Sequence, residues 1–193
     1  MSVKSENNKR IAKNTFLLYF RMLFTMGVSL YTSRVVLNTL GVEDFGIYNV
    51  VGGVVVMFSF LNSSLATATQ RFLNYEMGQG NALKLEKVFS IALTGHYLIA
   101  LSVILLAETI GLWFVSTQLE IPAERMHAAL WVYQFSILTL AVSIISVPYN
   151  AVIIAHERMK VFAYVSIAEV SLKLTVVFLL VYLSFDKLVL YAF

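Results

Sequence analysis

The chain has 193 residues, of which 59% are hydrophobic and only 13% charged. A soluble domain runs nearer ~45–50% apolar and ~25% charged, so this composition supplies too few ionised side chains to solvate a globular surface. The net charge of +3 comes with no basic patch interleaved with aromatics, which excludes a nucleic-acid binder; the lack of cysteine excludes a disulfide framework, a thiol nucleophile and a cysteine metal site.

At the N-terminus Lys4, Lys9, Arg10 and Lys13 precede an apolar run, as they would in a secretory leader. That run is too long for a leader, contains Arg21 and lacks a small-x-small cleavage site, so a retained first span is expected over 11–37. A helix needs about 20 mainly apolar residues to cross a bilayer core. Three stretches without Lys, Arg, Asp or Glu meet that length: Phe45–Gln70 with 26 residues, Val88–Ala107 with 20 and Met126–His156 with 31. They predict spans over 46–70, 88–114 and 124–149. A fifth span is expected over 161–183, with Glu169 and Lys173 inside it, and a sixth opens at Leu188 and is cut off at Phe193, as in a fragment of something longer. The expected fold is therefore all-α, a single transmembrane helical bundle over 1–193 with about five full spans and the start of a sixth. Strands are not expected, because open sheet edges cannot be satisfied in lipid.

Turn chemistry separates the spans. Asn38–Gly46 holds two glycines and the Glu43-Asp44 pair, and Gly78-Gln79-Gly80-Asn81 is a sharp loop signal. Asn81 is placed to cap a short amphipathic segment, Leu83–Lys87, lying on the membrane surface. Pro122 sits where a helix start is expected, and Pro148 is expected to kink or end the fourth span.

Orientation follows from Lys and Arg in short loops. With the N-terminus inside, Lys4, Lys9, Arg10, Lys13, Arg71, Lys84, Lys87, Arg158 and Lys160 share one side, against Arg34, Arg125 and Lys187 on the other. The acidic pairs Glu43/Asp44 and Glu120/Glu124 fall outside, and the N-terminus is expected in the cytoplasm.

Inside a span an ionisable group costs about 2.5–3.5 kcal/mol on insertion scales, so it tends to face a bundle interior or a wet cavity. Arg21 heads a stripe with Thr25, Val28 and Thr32 on one face of the first span. Its planar fork suits an anion, and its length equally suits snorkelling to headgroups. The second span carries Ser59, Asn62, Ser63, Ala66, Thr67 and Gln70 on one face, and the fourth carries Ser136, Thr139, Ser143 and Ser146. Small polar residues at this spacing serve close helix packing or line a hydrophilic path. Glu169 and Lys173, four apart with Glu first, are spaced for a structural ion pair or for coupling to protons or sodium. Arg71 closes the second span, where it meets headgroups or guards an inner mouth. The histidines His96, His127 and His156 are scattered, with no second ligand at metal-site spacing and no P-loop, GxSxG or HExxH, so neither an enzyme nor a metal site or cofactor is expected.

The run Leu40-Gly41-Val42-Glu43-Asp44-Phe45-Gly46-Ile47-Tyr48, continuing to Thr69-Gln70-Arg71-Phe72, together with Pro148-Tyr149-Asn150-Ala151 and Ala155-His156-Glu157-Arg158, resembles the polysaccharide biosynthesis flippases of the multidrug/oligosaccharidyl-lipid/polysaccharide exporter (MOP) superfamily. The likeness lies in the order and spacing of these motifs. It implies the first lobe of a two-lobed transporter that flips a lipid-linked O-antigen or capsule repeat unit by alternating access across the bacterial inner membrane. The implied cargo is an oligosaccharide on a polyprenyl diphosphate, with membrane lipids and polysaccharide-assembly proteins as partners. Arg21 is the residue carried over first for holding the diphosphate, with Arg34 and Arg71 behind it and Asn62 and Ser63 as sugar-facing groups. A cation-coupled multidrug-and-toxin extruder of the same superfamily is the alternative, and a membrane enzyme or scaffold of polysaccharide assembly is the alternative of another class.

Overall fold

The computed structural model describes residues 3–182 and 186–192, with side chains for all of these but 3–7, 10, 60–63 and 182. The elements are α1 (Val3–Val56), a 3-10 turn (Met57–Ser59), α2 (Phe60–Gly78), α3 (Ala82–Leu106), a π-helical segment (Ala107–Gly111), α4 (Leu112–Thr117), α5 (Met126–Ala155), α6 (Met159–Tyr182) and α7 (Lys187–Ala192). Among the described residues four helical stretches are long and apolar enough to cross a membrane: Ile11–Gly78, Ala82–Thr117, Met126–Ala155 and Met159–Val181.

The first of these stretches is folded back on itself. Gly41 alone leaves the helical region, at φ 79° and ψ 172°, a conformation that glycine adopts without steric cost. The contacts fix the direction of each arm. Arg125, just ahead of α5, holds both Asp44 and Asp186, so the start of the second arm, the start of α5 and the start of α7 meet at one end. At the other end the α2–α3 turn lies beside the end of α5, where Leu73, Met77 and Leu85 share a cavity with Val152 and His156. The second arm therefore runs parallel to α5, and α6 runs back against α5. The first arm runs with α6, Arg21 lying over Phe162 and Tyr31 beside Phe178. The two arms joined at Gly41 are thus antiparallel. The predicted nine-residue break at Asn38–Gly46 narrows to that one residue, and Asp44 and Phe45 are already helical.

Other boundaries also move. The second apolar stretch runs over 42–78, not 46–70, with one 3-10 turn inside it. The third runs over Ala82–Thr117, so Leu83–Lys87 is its first turns and not a separate surface segment. Asn81 does cap, but it caps α3: its side-chain oxygen accepts from the Lys84 N–H at 3.1 Å. Replacing Asn81 with Ala is expected to cost about 1 kcal/mol, measurable as a lower thermal midpoint in detergent, with Asn81→Asp nearly neutral. Pro122 lies ahead of α5, its carbonyl accepting from the Arg125 N–H at 2.9 Å, and the helix begins only at Met126. Pro148 does not end α5, which continues to Ala155 with the proline ring buried. The expected end of the fifth span at 183 and the last residue of the sixth, Phe193, lie outside the described residues; α6 is described to Tyr182 and α7 to Ala192.

The core is the contact of α3 and the second arm with α5. Val51 and Val55 pack with Val132, Tyr133 and Ile137, while Ala100, Ala107, Ala128 and Ala129 let the backbones approach. In lipid such contacts are held by packing and not by escape from water, which is why small residues line them. The first arm and α6 instead carry wide apolar faces, with Phe16, Leu23, Leu30, Tyr164 and Leu172 all exposed.

Candidate functional site

The two polar stripes expected on the second and fourth spans face each other in part: Ser59, Ala66 and Gln70 meet Ser136, Thr139 and Ser143, whereas Thr67 and Ser146 line neither of the two cavities between them. Asn49, Gly52, Gly53 and Ser59 lie opposite Ser136, Thr139 and Ser143 across a cavity of ≈ 410 Å³. Ala66 and Gln70 lie opposite Ser143, Val147 and Asn150 across a second cavity of ≈ 270 Å³. Ser143 borders both, so the two form one seam; from Ser136 to Asn150 it extends about 21 Å at the rise of an α-helix. The hydroxyls turn partly to their own helices: Ser136 donates to the Val132 carbonyl at 2.8 Å and Ser59 to that of Val56 at 2.7 Å. Each retains lone pairs that can accept a further hydrogen bond. Both paired glycines have room beside them: a Cβ at Gly52 would only touch Ser136 Oγ at 4.0 Å, and one at Gly53 would meet nothing within 4 Å.

The other expected residues are dispersed. Asn62 and Ser63 have side chains outside the described set. Arg71 is exposed, about 100° round α2 from Gln70, beside a cavity of ≈ 820 Å³ shared with Ser64, Thr67, Phe72 and Tyr75. Arg34 is exposed on the first arm and joins none of these groups. Arg21, with Thr25, Val28 and Thr32, forms the face of the first arm turned inward. Its Nη1 donates to Ser166 Oγ at 3.2 Å, its guanidinium covers the Phe162 ring at 4.6 Å, and its buried Nε has no partner. Glu169 and Lys173 are both exposed and form no ion pair with each other, despite their spacing.

Two features were not apparent in the sequence. The first is the clamp at the end opposite the α2–α3 turn. Arg125 Nε donates to Asp44 Oδ1 at 2.7 Å, its Nη2 reaches Asp44 Oδ2, and its Nη1 donates to Asp186 Oδ2 at 3.0 Å. The Asp44 hydrogen bond pushes the Arg125 pKa above its ordinary value, so the clamp keeps its cation at any pH the protein meets. Opposite charges assigned to the same side were the only available signal. The second lies in the π-helical segment, where the wider ring lets the buried Tyr133 hydroxyl donate to the Ala107 carbonyl at 2.7 Å. Gly111 makes the room. His96 is buried with Nδ1 at 2.7 Å from its own helix at Ala92 and Nε2 unpartnered. Among the described residues no group of three or more His, Asp or Glu is gathered for a metal ion.

Long apolar helices around a polar seam define an integral membrane protein of the all-helical class. Comparison with protein-family models, curated proteins and solved structures finds no match to this chain.

Proposed function

We propose that the protein is a flippase lobe that helps carry a lipid-linked oligosaccharide across the bacterial inner membrane by alternating access, with its N-terminus in the cytoplasm. In this reading the chain crosses five times, the arms joined at Gly41 counting as two, and α7 opens a sixth crossing. The observation that carries it is the seam: hydroxyl and amide groups from two spans meet across cavities, where a sugar head would exchange its hydration for protein partners while its lipid tail stays outside. The basic end of the bundle, with Arg71, Lys84, Lys87, Arg158 and Lys160, supports the orientation. The motif resemblance supports the cargo class.

The test is complementation. The full-length protein is expressed in a bacterial strain that lacks its own flippase and supplies the native repeat unit, and surface polysaccharide is measured at equal membrane protein. Wild type is expected to restore polysaccharide. Arg21→Ala is expected to reduce it on the order of tenfold, the worth of one charge-assisted hydrogen bond, and Arg21→Lys less. Thr139→Leu, which fills the seam without touching a charge, is expected to reduce transport severalfold at unchanged protein level. No restoration by well-expressed wild type would sink the flippase reading.

One observation favours the cation-coupled extruder as a second reading. Such a pump needs a deep carboxylate, and Glu169 is not neutralised by Lys173. Drug efflux lost in Glu169→Gln, with no polysaccharide phenotype, would select it.

A further inference from the structure

The first turns of α5 present a ladder of rings. His127, Trp131 and Phe135 recur every fourth residue, with successive ring centroids 6.4 Å and 5.7 Å apart. Exposed Leu138 and Val142 continue the ladder, and all five side chains lie within about 80° of one another around the helix. From His127 to Val142 the stripe runs about 22 Å at the rise of an α-helix, enough for a headgroup and the roughly 15 Å of one leaflet's hydrocarbon. The short helix α7 forms a second wall. Leu188 anchors it in the core, while Asp186, Val189 and Leu190 stand opposite the rings across a cavity of ≈ 510 Å³. Glu124 also lines this groove, exposed and without an ion pair among the described residues.

Charge decides what the groove takes. This end of the bundle holds Asp44, Asp186 and Glu124 but one guanidinium among them, that of Arg125. Even with Lys187, which does not line the groove, three carboxylates stand against two cations. The excess is negative, so it attracts a cation and repels an anionic head. Rings beside a carboxylate suit an ammonium group: the ring faces attract its charge and the carboxylate accepts its N–H donors. The aliphatic stripe that continues from the rings suits a hydrocarbon tail.

We propose that the groove seats a phospholipid whose headgroup ends in a primary ammonium, in the leaflet at the clamp end. The ammonium lies between Glu124 and the rings of His127 and Trp131, and one acyl chain runs along Phe135, Leu138 and Val142. A quaternary ammonium would satisfy the rings but donate nothing to Glu124. The inference requires only that α5 crosses the membrane, so it stands or falls separately from oligosaccharide transport.

The chain has two tryptophans, Trp113 and Trp131, so either can be made the sole reporter. The full chain with Trp113→Phe is reconstituted in phosphatidylcholine vesicles, and Trp131 fluorescence is quenched with lipids brominated on their chains. Brominated phosphatidylethanolamine should half-quench at about two- to fivefold lower mole fraction than brominated phosphatidylcholine, and brominated phosphatidylglycerol should do no better than phosphatidylcholine. Trp131→Phe leaves Trp113, on α4 outside the groove, which should show no preference. Glu124→Gln, at an exposed position outside the clamp, should bring phosphatidylethanolamine and phosphatidylcholine level, and Glu124→Lys should turn the preference to phosphatidylglycerol. Equal quenching of Trp131 by all three lipids, a preference for phosphatidylcholine or phosphatidylglycerol, or the same preference at Trp113 overturns the ammonium site. So does a phosphatidylethanolamine preference that survives Glu124→Gln. No quenching of Trp131 by any lipid would show that another protein surface covers the groove, and overturns the lipid.

Discussion

Gly111→Ala is expected to lower the thermal midpoint in detergent by on the order of 5–10 °C. The methyl group would overlap the Tyr133 hydroxyl and stand 3.3 Å from the ring carbon that bears it. Tyr133 is fully buried and its hydroxyl donates to the Ala107 carbonyl, so moving the hydroxyl aside disturbs both its packing and that hydrogen bond. Overpacking costs about 1–3 kcal/mol and a lost hydrogen bond about 1 kcal/mol, and each kcal/mol is worth roughly 2–4 °C in a chain of this size. Tyr133→Phe alone should cost only about 1 kcal/mol, because the Leu112 N–H also donates to the Ala107 carbonyl. The double variant Gly111→Ala with Tyr133→Phe removes the overlapping hydroxyl, so its midpoint should lie above that of Gly111→Ala. A double variant that melts no higher would show that the hydroxyl is not what Gly111 accommodates.

Arg125→Ala should be comparably damaging. It strands the Asp44 carboxylate, whose side chain is only 10% exposed, and unties Asp186. Breaking a fully buried pair costs about 3–5 kcal/mol and an exposed one about 0–1 kcal/mol. With Arg125 itself 31% exposed, a loss of about 2 kcal/mol is expected. Arg125→Lys should recover part of it, since one ammonium cannot fork to both oxygens of Asp44 and still reach Asp186. Asp44→Asn should cost less than Arg125→Ala, because no buried charge is left alone. Thermal melts of the three variants give the order directly, and equal midpoints for Arg125→Ala and wild type would reduce the clamp to a surface contact.

The apolar helices were legible because lipid imposes length and excludes charge, two properties that a sequence carries openly. The polar stripes were legible for the same reason: Ser, Thr and Gln at helical spacing stand out in an apolar span, and those at Ser59, Gln70, Ser136 and Ser143 do meet at the seam. Turns were less legible. Gly41 needs no polar loop around it, and the neighbouring Glu43-Asp44 pair, whose charge points to a loop, is helical. Partners distant in sequence left no trace: Arg125 and Asp44 are 81 residues apart, and Arg21 and Ser166 are 145 apart. The spacing of Glu169 and Lys173 gave a misleading signal. Helix geometry permits that pair, but both side chains are exposed and, among the described residues, they do not pair with each other.

The clamp also carries a consequence for the order of biosynthesis. Asp44 is made 81 residues before Arg125. While α2 and α3 are being synthesised, the hairpin bent at Gly41 has its carboxylate but not the guanidinium that secures it. In a chain that enters the bilayer as it is made, the start of the second arm gains this partner only when the start of α5 arrives. Asp186 joins last, tying the start of α7 to the same guanidinium after α6 has run back across. This polar tie therefore closes late in synthesis, through a residue that reaches backward along the chain to Asp44 and forward to Asp186.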